Sequence, residues 1–156
     1  MKVKILGIDP SFSNTGLVTI NDEDKILLTL NDEPTQKDWE QSRRIGDIVE
    51  RIRNLVRVYK IGAVVIEGMY MMPQRGNVII KLSELIGAIK YGLYLDGCIP
   101  FTITSSEARK KVLGKAFSRK EIDEAIRTQG LPIMENDHLR DAYILARAAR
   151  ILLAGK

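Results

Sequence analysis

Apolar positions along this chain form short runs typical of strands and longer periodic stretches typical of helices. The first run stops at Asp9, because the following Pro10 cannot donate to a sheet ladder. The first three runs are joined by short polar connections, which predicts an antiparallel meander. The runs predict five strands, at 4–9, 15–20, 25–30, 63–67 and 99–104.

Helical spacing of apolar residues is clearest over 45–59, and a second helix is predicted at about 78–96. Three more are predicted from capping residues: from Thr104 or Ser105 to about Leu113, from the Ser118–Glu121 capping box to Gly130, and from Asn136 or Asp137 toward Leu153. A meander followed by alternating helices and strands predicts an α/β fold with a mixed five-stranded sheet flanked by helices. No linker interrupts residues 1–156, so we expect a single domain.

The composition is that of an ordinary globular protein, with 45% hydrophobic and 28% charged residues. A net charge of +4 is compatible with a polyanionic partner. The single cysteine, Cys98, excludes an intrachain disulfide. No apolar run approaches the roughly 18 residues of a membrane span, and the N-terminus lacks the pattern of a signal peptide. We therefore expect a cytoplasmic protein with no membrane partner.

Two predicted strands end on acids, Asp9 and Glu67. Asp9 on its own is equally compatible with a simple turn, whereas Glu67 continues an apolar run and needs a partner if it is buried. If the two strands are parallel neighbours, both carboxylates point into one volume outside the strand ends. Carboxylates held close together repel one another, and a divalent ion such as Mg²⁺ relieves that conflict.

The last predicted helix offers further ligands, because His138 and Asp141 are three residues apart and share one face. Each also has a structural explanation. An acid early in a helix is favoured by the helix dipole, and a lone histidine is more often a packing or surface residue. Asp137 is adjacent to His138, so the choice between these two as the fourth ligand stays open.

These residues together resemble the RuvC-type Holliday junction resolvases, which have an RNase H-like fold. The motifs are Gly7-Ile8-Asp9-Pro10 followed by Thr15-Gly16, Ile66-Glu67 at the end of a later strand, and His138-x-x-Asp141-Ala142 at the start of the last helix. The chain departs from the usual family pattern at Ser11, where a glycine commonly follows the proline. This difference could alter the first turn without removing the acid.

The resemblance implies that Asp9, Glu67, His138 and Asp141 are the catalytic residues and hold two Mg²⁺ ions per site, with Mn²⁺ able to substitute. It implies that Tyr70 stacks on a base near the crossover and that Arg109 and Lys120 grip the DNA backbone. Six of twelve residues from Arg109 to Lys120 are basic, which either forms a solvated face or attracts phosphate. We count Lys110 and Lys115 of this run among the DNA contacts.

The predicted function is resolution of four-way junctions by metal-dependent phosphodiester hydrolysis, leaving 5′-phosphate and 3′-hydroxyl ends. One ion would activate water while the second stabilises the departing 3′ oxygen. Paired cuts imply a homodimer, with Gly87, Ala88 and Gly92 of the second helix as candidate contacts, and no small-molecule substrate. Two alternatives stay open: a broader RNase H-like nuclease acting on forks, flaps or hybrids, and a non-catalytic protein that binds branched DNA.

Overall fold

The computed structural model describes residues 3–32, 36–69 and 76–155. Its strands are β1 (Ile5–Asp9), β2 (Thr15–Ile20), β3 (Ile26–Asp32), β4 (Ala63–Gly68) and β5 (Phe101–Thr104). Its helices are α1 (Gln41–Tyr59), α2 (Gly76–Leu95), α3 (Ser105–Leu113), α4 (Ile122–Thr128) and α5 (Asp137–Ala154).

The five strands form one sheet in the order β3-β2-β1-β4-β5. β1 pairs with β2, and β2 with β3, in antiparallel fashion, whereas β4 is parallel to both β1 and β5. The predicted meander and mixed α/β sheet are therefore confirmed. No helix within the described ranges is long and apolar enough to cross a membrane.

Helices cover both faces of the sheet. Successive strand residues point to opposite sides, and here both sides carry apolar residues that the helices bury. Leu6 and Ile8 face α1 and α2 in one buried cluster. Ile5 and Val65 belong to the other cluster, together with α3, α4 and α5. Odd-numbered positions of β1 and β4 thus lie on the α5 side of the sheet.

Two glycines allow α5 to lie directly on β1 and β2. A Cβ atom at Gly7 would stand 2.0 Å from the carbonyl oxygen of Ala142, and one at Gly16 would stand 2.3 Å from that of His138. Such distances are far below van der Waals contact, so only glycine permits this approach. The N-terminal turns of α5 are thereby held against the strand pair that ends at Asp9.

Some predicted boundaries and contacts differ from the structure. β3 continues to Asp32, which is buried and forms a salt bridge of 2.9 Å with Arg51. β5 starts at Phe101 rather than residue 99. Gly92 is buried, and a Cβ atom there would stand 2.6 Å from Val49 of α1. It serves contact between α1 and α2 and does not present a surface to a second copy.

The helix expected directly after Ser118 starts later, at Ile122. Glu121 does accept the Ser118 backbone N–H at 3.1 Å, which is one half of a capping box. The Ser118 hydroxyl, however, donates to the same carboxylate at 2.7 Å instead of accepting an amide. Residues 119–121 therefore form a turn that precedes α4.

Candidate active site

Asp9 and Glu67 lie side by side at the edge of the sheet. Their strands are parallel neighbours in which Ile8 pairs with Ile66, so each acid is the next residue of its strand. Both occupy odd-numbered positions and thus point toward α5. Asp9 is 8% exposed, so its carboxylate is largely removed from water.

Helix α5 supplies the other two side chains. Its N-cap is Asn136, which accepts the backbone N–H of Leu139 at 3.0 Å and fixes where the helix begins. His138 Nδ1 then lies 2.7 Å from Asp9 Oδ2, and Asp141 follows on the same face. All four predicted residues line one pocket of about 450 Å³.

This geometry distinguishes Asp137 from His138 as candidates for the fourth residue of the site. Asp137 and His138 stand four and three residues before Asp141, so helical spacing alone permits either. In the structure His138 contacts Asp9, whereas Asp137 forms a salt bridge of 2.9 Å with Arg140 and lines a different cavity. Of the two, it is His138 that shares the pocket with the acids.

The electrostatics of the pocket reflect a crowded set of acids. Burial raises the pKa of Asp9, while a hydrogen bond from Glu67 opposes that change and the charge of Asp141 adds to it. Burial also raises the pKa of Glu67, and the hydrogen bond to Asp9 and the charges of Asp9 and Asp141 raise it further. Glu67 also accepts a hydrogen bond from the Ser105 hydroxyl. Both carboxyl groups are consequently harder to ionise in the metal-free protein than free acids are.

Two arginines neutralise Asp141. Arg109 Nη2 lies 3.4 Å, and Arg140 Nε 3.3 Å, from the same oxygen, Oδ1. Burial lowers the pKa of Arg140, but the charges of Asp141, Asp123 and Asp137 outweigh it and hold that pKa above its usual value. Asp141 is therefore the acid of the pocket with the most direct cationic support.

The chemistry of the donor set fits a divalent cation, because three carboxylates and an imidazole line one pocket, and burial together with the charge of Asp141 raises the pKa of both Asp9 and Glu67. Within the described residues, no three His, Cys, Asp or Glu side chains are already arranged so that they could hold a metal ion. Their side chains are held by contacts within the protein: Asp9 with His138, Glu67 with Ser105, and Asp141 with Arg109 and Arg140. Metal binding would exchange these internal contacts for ligand bonds.

The predicted DNA contacts divide into three groups. Arg109 is only 14% exposed and lies inside the acid pocket, with Nη1 donating to the Phe117 carbonyl at 3.3 Å. Lys110, Lys115 and Lys120 are exposed and do not line that pocket; Lys115 stands over the Phe117 ring at 5.5 Å. Tyr70 lies outside the described residues.

Sequence reasoning left Arg119, Ser105 and Arg140 without a role. Arg119 lines the acid pocket, and its charge lowers the pKa of Asp9. Its only sequence signal was membership of the basic run, which does not distinguish it from Lys120. The sequence marks Ser105 only as a possible helix cap, and it gives no signal for Arg140 because a buried arginine cannot be recognised from helical spacing.

Ser11 closes the turn after β1 without disturbing Asp9. Its hydroxyl accepts the backbone N–H of Ser13 at 3.2 Å and that of Asn14 at 3.4 Å. Its own N–H donates to the Thr15 hydroxyl at 3.1 Å. Positive φ angles at non-glycine residues occur only at Asp24 and Lys60 among the described residues, so the turn does not require glycine at position 11. Asp9 stays paired with Gly16 in the sheet.

The strand order and the acids at the ends of β1 and β4 and on the last helix define an α/β protein of the RNase H-like class. A model of the family described as crossover junction endodeoxyribonuclease RuvC matches residues 5–148. The chain therefore belongs to the RuvC family, and the resemblance predicted from its motifs is confirmed.

Solved structures share the fold at low sequence identity. Thermus thermophilus RuvC is 19% identical, with a TM-score of 0.80 over 98% of this chain and 97% of that chain. T. thermophilus RuvC in complex with Holliday junction substrate is 19% identical, with a TM-score of 0.82 over 98% and 96%. Fowlpox virus resolvase, solved with Holliday junction DNA, is 13% identical, with a TM-score of 0.59 over 97% and 99%.

Proposed function

We propose that this member of the RuvC family resolves four-way DNA junctions by hydrolysing phosphodiester bonds, leaving 5′-phosphate and 3′-hydroxyl ends. The observation that carries the proposal is the meeting of Asp9, Glu67, His138 and Asp141 in one pocket of a chain that belongs to this family. These four side chains come from three separate elements, and their mutual repulsion makes such a cluster costly unless it serves chemistry.

The same four residues are the proposed ligands of two Mg²⁺ ions, for which Mn²⁺ would substitute. Bound divalent ions would supply Lewis-acid stabilisation of the phosphate and a lowered pKa for attacking water. His138 enters as a neutral imidazole and makes the ligand set one charge less negative than four carboxylates would. Because the pKa values of Asp9 and Glu67 are raised, any proton that either holds must leave before both can act as anionic ligands.

The arginines of the pocket are proposed phosphate contacts. Arg109 and Arg119 both line the acid pocket, and their positive charges would attract the scissile phosphate to a site whose own charge is negative. The exposed Lys110, Lys115 and Lys120 would contact the DNA backbone farther from the acids. Tyr70, three residues beyond Glu67, keeps its proposed role as a residue that stacks on a base.

A homodimer is part of the proposal, because paired cuts in a nearly two-fold symmetric junction need two sites in a fixed relation. Helix α2 is the proposed contact element. Ile80, Gly87, Tyr91 and Tyr94 follow one another at helical spacing, and all four are exposed. Tyr91 is 64% and Tyr94 63% exposed, and aromatic residues of this kind are enriched at protein interfaces.

The test is cleavage of a mobile four-way junction, compared with a fork and a linear duplex, with and without Mg²⁺. The proposal predicts metal-dependent paired nicks in the junction, with products that a ligase can seal. Equal cutting of forks would indicate the broader nuclease. Tight junction binding with no cutting in Mg²⁺ or Mn²⁺ would indicate a binding protein and would refute the catalytic assignment.

A matched variant separates chemistry from binding. Asp9→Asn keeps the size of the side chain but removes an anionic ligand, so cleavage should fall by about 10³-fold or more while junction binding changes by less than about threefold. Cutting at the wild-type rate by Asp9→Asn would rule out the proposed role of Asp9.

A further inference from the structure

Arg140 lies in the first turn of α5, where a positive charge is unfavourable because the N-terminus of a helix carries a partial positive charge. It is also only 4% exposed, although arginine is rarely buried unless it is paired. Both the position in the helix and the burial are therefore unfavourable for the positive charge of Arg140. The contacts of its guanidinium must compensate for this cost.

Three carboxylates surround the Arg140 guanidinium. Nη1 lies 2.9 Å from Asp137 and 3.1 Å from Asp123 of α4, and both of these acids are 60% exposed. Nε lies 3.3 Å from Asp141, which is buried in the acid pocket. The arginine therefore links two acids at the surface with one acid of the proposed active site.

The contact with Asp141 uses one carboxylate oxygen. Arg140 and Arg109 both approach Oδ1, from α5 itself and from α3. Arg109 lines the acid pocket, whereas Arg140 lines a separate cavity of about 240 Å³ together with Asp123 and Asp137. Arg140 thus contacts Asp141 without lining the acid pocket itself.

A contribution to stability alone does not explain the burial of Arg140 among three carboxylates. Buried ion pairs commonly contribute no more stability than apolar side chains of similar volume. Arg140 additionally has a buried Nη2 with no hydrogen-bond partner among the described residues, which is a further cost. Residues that orient a metal ligand from behind, by contrast, typically change metal affinity or activity by about 10–100-fold when they are replaced.

We propose that Arg140 is a positioning residue that fixes the Asp141 carboxylate for metal binding, with Asp123 and Asp137 anchoring the guanidinium at the surface. The inference rests on the proposed function in that it takes Asp141 as a metal ligand. In this role Arg140 contacts neither DNA nor the reacting atoms. The fork of the guanidinium is essential, because one ammonium group cannot span the three acids in the same geometry.

The test is Mn²⁺ binding to the isolated protein, measured from the loss of the free-ion electron paramagnetic resonance signal. Arg140→Lys keeps the charge but loses the fork, so we expect at least about 10-fold weaker Mn²⁺ binding. Junction binding measured without metal should change by less than about twofold. If the wild type binds Mn²⁺ and the Asp9→Asn variant does not, the bound ion lies in the acid pocket.

Arg53→Lys is the matched control. Arg53 also forms a two-pronged ion pair, with Asp96 at 2.7 Å from both Nε and Nη2, but on α1 at the other face of the sheet. Arg53→Lys should lose thermal stability without weakening Mn²⁺ binding. Equal loss of Mn²⁺ affinity in both lysine variants would reveal general loosening and overturn the proposal.

Asp123→Asn provides a second route should Arg140→Lys not fold, because Asp123 is largely exposed. Removing this anchor should weaken Mn²⁺ binding by about 2–5-fold. Unchanged Mn²⁺ affinity in the folded variants overturns the role of Arg140 while leaving junction cleavage by the wild type unaffected. A wild type that binds no Mn²⁺ in the acid pocket overturns both this inference and the proposed metal site.

Discussion

Asp9 and Glu67 are held together by the fold at a cost that depends on their protonation. In the metal-free protein, burial and the charge of Asp141 raise the pKa of both groups, so each binds a proton up to a higher pH than it does in the unfolded chain. A group whose pKa is higher in the folded state stabilises the fold below its unfolded pKa. That contribution is lost as the pH rises through the folded pKa.

Glu67→Gln should therefore stabilise the metal-free protein at alkaline pH. The pKa of Glu67 rises from its usual 4.5 to about 9, so the affected window lies between these values. We expect the free energy of unfolding at pH 8.5 to increase by about 1–3 kcal/mol, because folding of the wild type must protonate Glu67 at a pH where the unfolded chain is ionised, whereas the amide needs no proton. Urea unfolding in EDTA at pH 5 and pH 8.5 measures the difference, which should be smaller at pH 5.

Glu107→Gln gives the opposite sign and serves as the control. Glu107 accepts hydrogen bonds from the side chain and backbone of Thr104, and these lower its pKa. Its contribution is present above its unfolded pKa and is lost as the pH falls. This variant should thus not gain stability at pH 8.5, and an equal gain in both variants would contradict the explanation given for Glu67.

Arg119 and Lys120 are neighbours in sequence but differ in their relation to the acid pocket, which Arg119 alone of the two lines. We expect Arg119→Ala to lower kcat/KM for junction cleavage by about 10–100-fold, because it removes a cation facing the proposed phosphate site. Lys120→Ala should weaken binding to all junction sequences alike and reduce the salt slope by about one. Single-turnover cleavage and binding at several salt concentrations distinguish the two; equal effects would remove the special role of Arg119.

At the level of elements, the site depends on how closely α5 approaches the β1–β2 pair. Gly7 and Gly16 leave the space in which the backbone of α5 lies, and His138 is itself the residue that contacts Gly16. The close approach brings His138 within hydrogen-bond distance of Asp9. The glycines therefore determine the geometry of the site although they carry no chemistry.

Gly16→Ala should displace the N-terminus of α5 and separate His138 from Asp9. We expect a loss of stability of about 3 kcal/mol, since the added methyl meets backbone atoms that cannot move independently. Cleavage per folded molecule should also fall. The measurement combines urea unfolding with cleavage at a temperature where the variant is fully folded.

Gly46→Ala is the control for this change. Gly46 is an exposed residue of α1, and nothing lies within 4 Å of a Cβ atom placed there. Replacing glycine by alanine within a helix should add about 0.5–1 kcal/mol of stability. A Gly16→Ala variant as stable and active as Gly46→Ala would show that α5 does not depend on this contact.

On the scale of the whole molecule, helix α2 contributes both to the acid pocket and to the proposed dimer contact. Its early residues Val78, Ile79 and Leu82 form a wall of the acid pocket. Farther along, Leu85, Ile89 and Leu93 are buried against the sheet, while the exposed stripe defined by Ile80, Gly87, Tyr91 and Tyr94 faces away. A dimer formed through this stripe would thus place the interface on the same helix as the active-site wall.

Tyr91→Asp combined with Tyr94→Asp should weaken the proposed dimer, because it places two charges at an aromatic contact. Sedimentation should show a shift from dimer to monomer at micromolar concentration. Cleavage of a cruciform in a supercoiled plasmid should change from paired cuts to single nicks. An unaltered dimer would move the interface away from α2, and a monomeric wild type would refute the dimer itself.

Most of the fold could be predicted because its signals are local. Runs of apolar residues, Pro10 and the caps at Thr104 and Asn136 determine where strands and helices lie, and the structure agrees within a few residues. The helix predicted from Ser118 begins only at Ile122, since two competing hydrogen-bond patterns of Ser118 and Glu121 suit the same short motif.

The sequence by itself determined most of the elements, the sheet class and three of the four residues proposed for the site, because periodicity sets which side chains share a face within one element. Only the tertiary structure decided that His138 rather than Asp137 meets Asp9, that Arg119 rather than Lys120 lines the pocket, and that Arg140 is buried. Those outcomes depend on how elements distant in sequence pack against one another. Local periodicity does not specify the depth or rotation of that packing, which here follows from the contact of α5 with Gly7 and Gly16.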